Sequence, residues 1–257
     1  MKIRRKPPKP AQSGTPLYVV GYSGATPSPD ELQCWFDLDY GGPLKLMTIS
    51  SPQNDQAAGS LLAMHGPWRV HCQMACAPAE AARWASGLEW RHERAATVTL
   101  VSAAPRDIVD VVILAARLAR GLSLLTGGTA FDLRTQTFLN PSDWIDRRLE
   151  QFAVADHVTV CHDETPDGTQ EWFFTQGLAK FGLNEIESFQ PRSLPEQPVI
   201  ERLTDIAQEL IRLGQIPKVG ASIALPLLDL SVHAVRHRTA THVGASLILR
   251  EIIWQAL

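Results

Sequence analysis

The chain has 257 residues, 45% of them apolar, enough to bury a substantial core without disulfide or metal staples. Its formal net charge is only −3, from 24 Lys and Arg against 27 Asp and Glu, which leaves no overall field to draw in nucleic acid or an acidic membrane surface. The cysteines Cys34, Cys72, Cys76 and Cys161 are unevenly spaced and no apolar run follows the basic start, so a reduced, cytoplasmic protein is expected.

In chain order, Lys2 to Pro10 combines basic residues with prolines and has almost no apolar surface to bury, so residues 1–15 read as a disordered basic tail. An arm for an acidic partner or RNA is the functional alternative to plain solubility. Residues 16–257 read as a single domain, with a possible subdivision near Pro141. Leu17 to Tyr22 is a first strand, Ser28-Pro-Asp-Glu a helix start, and Leu44 to Ile49 a second strand. Short strands are expected at Leu61 to Met64 and Trp68 to Met74, an alanine-rich helix at Pro78 to Gly87, and a β-branched strand at Ala96 to Ser102.

The helix from about Asp107 to Leu125 is apolar on most of its circumference, which places it at the centre of the fold. Asp110, Arg117 and Arg120 would be costly in lipid, so it is not read as a membrane span. Thr126-Gly-Gly ends it, followed by a short hairpin over Ala130 to Leu139 and a helix from Pro141 to about Gln151. His157 to His162 and Trp172 to Phe174 form a hairpin through an Asp-Gly turn, and Leu183 to Phe189 is the next strand. Apolar residues from Val199 to Leu213 recur at helical spacing. Ala221 to Leu230 and Gly244 to Ile253 are late strands, separated by a basic segment, His233 to His242, read as a loop. The irregular alternation of hairpins and helices gives an α+β class with a mixed, mainly antiparallel sheet and packed helices.

The order helix, Thr-Gly-Gly, short strand, Pro-x-x-Trp helix, then a strand pair leading into W-x-x-T-x-G-L-x-x-F-G-x-x-E-I over Trp172 to Ile186 resembles a group of uncharacterised bacterial cytoplasmic domains. The C-terminal part is also loosely similar to the suppressor-of-fused-like domains of bacterial toxin-immunity proteins. That resemblance implies a protein-binding role, with another bacterial protein such as a toxin as partner, and offers no catalytic residues.

Several constellations could carry chemistry. Glu185 and Glu187, two apart on a strand, share a face and suit a paired-carboxylate site or a cation, or are solvent-facing charges guarding an edge strand. With Arg236 and Arg238 they are the binding candidates. His233 and His237 would share a face if their segment were helical and, with His242, could hold a metal, the basis of an alternative reading as a metal-dependent hydrolase. His71, Cys72, Cys76, Cys161 and His162 bear soft ligands, but alternation sends His71 and Cys72, and likewise Cys161 and His162, to opposite faces, favouring buried thiols over zinc. Ser23 lacks the strand-to-helix elbow of a nucleophile, and Thr126-Gly-Gly lies at the wrong helix end for a phosphate. No cofactor and no catalytic set is expected. The leading expectation is a non-enzymatic protein-binding protein.

Overall fold

The computed structural model describes residues 15–49, 59–76, 92–101, 103–242 and 245–257. The expected basic tail, apart from Thr15, and the expected helix over Pro78 to Gly87 lie outside the described residues. Within them the chain is α+β, as expected, and its mostly antiparallel strands form two sheets. The N-terminal sheet contains β1 (Tyr18–Tyr22), β2 (Leu44–Thr48), β3 (Ser60–His65), β4 (Trp68–Cys76), β5 (Arg94–Leu100), β6 (Thr129–Asp132) and β7 (Thr137–Leu139), ordered β2-β3-β4-β5-β1-β6-β7. The C-terminal sheet contains β8 (Thr159–Glu164), β9 (Gln170–Gln176), β10 (Glu185–Pro191), β11 (Ser222–Leu225), β12 (Leu230–His242) and β13 (Ala245–Ala256), ordered β11-β12-β13-β10-β9-β8. The sheets change over between Leu139 and Thr159, near Pro141, and a continuous cluster of buried apolar residues draws on both.

The first helix, α1 (Pro29–Tyr40), starts where its sequence directs: Ser28 and Glu31 form a reciprocal capping box ahead of Pro29. Helix α2 (Ile108–Thr126) packs across β1, β4 and β5 and buries nearly every residue from Val111 to Ser123, as its apolar circumference requires. Its arginines serve as staples. The largely buried Arg120 donates to the Trp144 carbonyl at 2.9 Å and the Tyr40 hydroxyl at 2.9 Å and pairs with Asp39, while Arg117 donates to the carbonyls of Leu149 and Glu150. Gly127 (φ 64°) closes the helix in the left-handed region, and a side chain at Gly128 would run into the Gly21 carbonyl.

The helix after Asn140 is one short piece, α3 (Pro141–Asp146), not the longer helix expected. It sinks Trp144 into the core. The amphipathic α4 (Glu196–Leu213) lays Val199, Leu203, Ile206, Ala207 and Leu210 against the C-terminal sheet, where it meets β8 and β9. No helix among the described residues is long and apolar enough to cross a membrane.

Candidate functional site

The Trp172 to Ile186 segment is a turn built around a buried carboxylate. Strand β9 ends at Gln176, a 3-10 turn covers Leu178–Phe181, and β10 begins at Glu185. A helical turn leaves its first backbone N–H groups without partners. Here Glu185 takes them: Oε1 accepts from Gly177 N at 3.0 Å and Ala179 N at 3.1 Å, and Oε2 from Leu178 N at 3.2 Å and the Thr175 hydroxyl at 2.8 Å. Burial pushes the Glu185 carboxyl above its usual range, against the pull of those four donors. Gly177 (φ 124°) runs so close to the chain that a Cβ would enter the His157 carbonyl oxygen, whereas at Gly182 (φ 75°) the space is open and only the left-handed conformation calls for glycine. Of the two glycines, only Gly177 makes a close approach. Thr175 lies within β9.

Glu185 and Glu187 are not solvent-facing charges on an edge. Strand β10 is interior, between β9 and β13, and Glu185 is 4% and Glu187 0% exposed. Glu187 receives Nε and Nη2 of Arg238 at 2.7 and 2.6 Å and the Trp172 indole N–H at 2.7 Å. The Arg238 guanidinium lies 4.8 Å from the Trp172 ring centre and 5.5 Å from that of Phe189, and the Glu187 bonds hold it above the usual arginine range.

Arg236 and Arg238 reach this face because the expected loop over His233 to His242 is part of strand β12, paired residue by residue with β13. Its alternating threonines and alanines at 239–241 suit a strand as well as a loop, and only the partner strand decides. A bulge between Ala234 and Arg236 resets the alternation, so Arg236 stands opposite Glu251 and Arg238 opposite Leu249. Arg236 forms an ion pair with Glu251, its guanidinium 5.6 Å from the Phe189 ring centre.

The same pairing separates the histidines. His233 stands opposite Ile253 and meets the Ser222 hydroxyl at 3.1 Å, whereas His242 stands opposite Ala245 and packs edge-on against Phe174. Nine positions of strand put them roughly 30 Å apart. His237, opposite Arg250, lies on the other face. The three are therefore not gathered, and among the described residues no group of three or more His, Cys, Asp or Glu side chains is placed to hold a metal ion. Cys72 is buried beside Met74, and burial pushes its thiol up to about 12, while Cys161, pushed up to about 11 mainly by burial, donates to Gln176 Oε1. His71 bonds Ser60 at 2.7 Å.

Beside the Arg236–Glu251 pair lies a cleft of about 550 Å³, bounded by the β8–β9 turn (Thr165, Pro166, Asp167), Gln170, Phe189 and Glu251 to Ile253. Its walls mix an aromatic ring, the 56% exposed Ile253, one cation and two carboxylates. Sequence reasoning selected the two arginines but missed Phe189, Glu251, Ile253 and Asp167. The Arg250-Glu251 pair interrupting the apolar run from Leu247 to Trp254 was the available signal.

Deeper inside, Lys180 is fully buried in an ion pair with Asp132 that ties the turn before β10 to β6. Desolvation lowers the Lys180 ammonium against the attraction of Asp132. Next to this pair His157 is 0% exposed, stacked on Phe152, and neither ring nitrogen has a hydrogen-bond partner among the described residues. Burial, with Lys180 and Arg147 nearby, pulls it down to about 3.

Compared with protein-family models, with curated proteins and with solved structures, the chain matches none.

Proposed function

We propose that this chain is a non-enzymatic binding protein that holds another protein through the cleft of its C-terminal sheet. One observation carries the reading: the charged and aromatic side chains around the cleft are preset on a hydrogen-bonded sheet, with Arg236 fixed between Glu251 and Phe189. Such a surface offers an apolar anchor with a polar surround, as protein contacts do. The likeness to bacterial cytoplasmic domains and to suppressor-of-fused-like immunity domains supports a bacterial partner in the cytoplasm, such as a toxin, and a role as immunity protein or adaptor.

The test is site-specific photo-crosslinking in cells. A benzophenone amino acid at Ile253 or Gln170 is expected to trap a discrete protein, while the same group at Glu201, on the exposed side of α4, traps none. A partner trapped from Glu201 and not from the cleft would overturn the proposal.

A further inference from the structure

The cleft coincides with a split in the sheet. Strands β10 and β13 run parallel, the one parallel pair among the described strands, and they pair only over Glu185–Glu187 and Leu249–Glu251. Beyond that point β10 stays with β9 as far as Pro191, and β13 stays with β12 as far as Ala256. The carboxyl ends of the two strands thus part like a wedge, with Phe189 on one wall and Ile252 and Ile253 on the other. The chain order also reverses here, because β8, β9 and β10 fill the sheet inward from one edge and β11, β12 and β13 from the other. In open α/β sheets, crevices at the carboxyl ends of parallel strands where the winding reverses are where ligands bind, and this single parallel pair opens in the same way.

The backbone directions can be read from the bonds. The Ile186 N–H donates to the Thr175 hydroxyl and the Ile186 carbonyl accepts from it, so Ile186 faces β9. Alternation then turns Ser188 and Gln190 toward β9 and Phe189 toward the wedge. On the other wall the Leu257 N–H donates to the Asp229 carbonyl, so residues 253, 255 and 257 face β12 and Trp254 faces the wedge. Phe189 and Trp254 therefore present main-chain donors and acceptors beyond the end of the β10–β13 ladder, as an edge strand would.

Arg236 on the cleft wall is matched by Glu251, and the hairpin beside the opening is acidic. From Asp163 to Glu171 the β8–β9 hairpin carries Asp163, Glu164, Asp167 and Glu171 and no Lys or Arg. Arg192 meets Glu164 and Glu171, whereas Asp167 on the cleft wall bonds only its own turn among the described residues, through the Thr165 hydroxyl and Thr169 N–H.

Resting on the proposed binding role, we infer that the wedge takes an extended, basic segment of the partner protein by strand addition along β10. The segment's main chain pairs with Phe189, an apolar side chain lies between Phe189 and Ile253, and a Lys or Arg faces Asp167. This mode combines main-chain affinity with side-chain selection at alternate positions.

The experiment pans a phage-displayed random heptamer library on the intact protein and then N-methylates the selected synthetic peptide one residue at a time. Selected sequences are expected to carry a basic residue near an apolar one, and Asp167→Lys is expected to weaken binding at least tenfold. Ile253→Lys, on an exposed side chain, should do the same without altering the melting curve. N-methylation should abolish binding at alternate positions only. Equal sensitivity at every position, insensitivity at all of them, selection of acidic or unrelated sequences, or failure to select any peptide would overturn strand addition. So would association of two copies through the wedge. Crosslinking from Ile253 and Gln170 separates the two proposals: a partner trapped there while the peptides fail removes the strand mode and leaves the binding role standing.

Discussion

Replacing Glu185 with Gln asks whether that carboxylate is a buried acceptor or a charge on the surface. The carboxylate oxygens share four donors, three backbone N–H groups and the Thr175 hydroxyl. An amide keeps one acceptor oxygen and turns an NH2 group toward the other two donors. Two buried donors then lose their acceptor, at roughly 1–3 kcal/mol each. The expected loss is about 3–5 kcal/mol, a large part of the 5–15 kcal/mol typical of a whole domain. A surface carboxylate would change stability by about 0.5 kcal/mol or less. Urea unfolding at pH 7, followed by circular dichroism, measures the difference through a lowered midpoint at unchanged slope. A Glu185→Gln protein within about 0.5 kcal/mol of wild type would refute the assignment of this carboxylate to the turn.

The two glycines of the same turn should respond differently. Gly182→Ala costs about 1–2 kcal/mol through its left-handed backbone alone, whereas Gly177→Ala adds the collision with the His157 carbonyl and should exceed 3 kcal/mol, on the order of the severe backbone class; thermal melts of both variants check this. Lys180→Met leaves Asp132 buried and unpaired and should cost roughly 3–5 kcal/mol in the same unfolding assay. His157 gives a pH signature: its folded pKa, about 3, lies below its unfolded value, so its contribution is present above about 6.5 and is lost as pH falls toward 3. His157→Phe should therefore gain stability relative to wild type across that window, by up to on the order of 4 kcal/mol, and parallel pH–stability curves would contradict it.

The elements with strong local periodicity were legible in the sequence. Helix α2 declared its burial through an unbroken apolar surface, α1 through Ser28, Pro29 and Glu31, and α4 through one apolar face. The polar residues of α2 were legible only as exceptions, because the carbonyls that Arg117 and Arg120 satisfy lie 24 to 33 residues away in sequence. The candidate site was half legible. Glu185, Glu187, Arg236 and Arg238 were selected, but their burial depends on where β10 sits in the sheet, and no local pattern states that β13 lies beside it. The basic stretch in β12 read as a loop for the same reason. Its charges are paired across strands, with Glu251 and Glu187, and a single strand does not display its partners.

Amide hydrogen exchange at the wedge tests the binding surface most directly, with no need to know the partner. In the free protein the Phe189 and Trp254 amides should exchange fast, while Ser188 and Gln190, held by β9, and Ile253 and Gln255, held by β12, exchange slowly. A basic, apolar peptide selected on the protein should then slow Phe189. Protection of Phe189 and Trp254 equal to that of their neighbours in the free protein would mean that the sheet is closed at this point and that no strand can enter it.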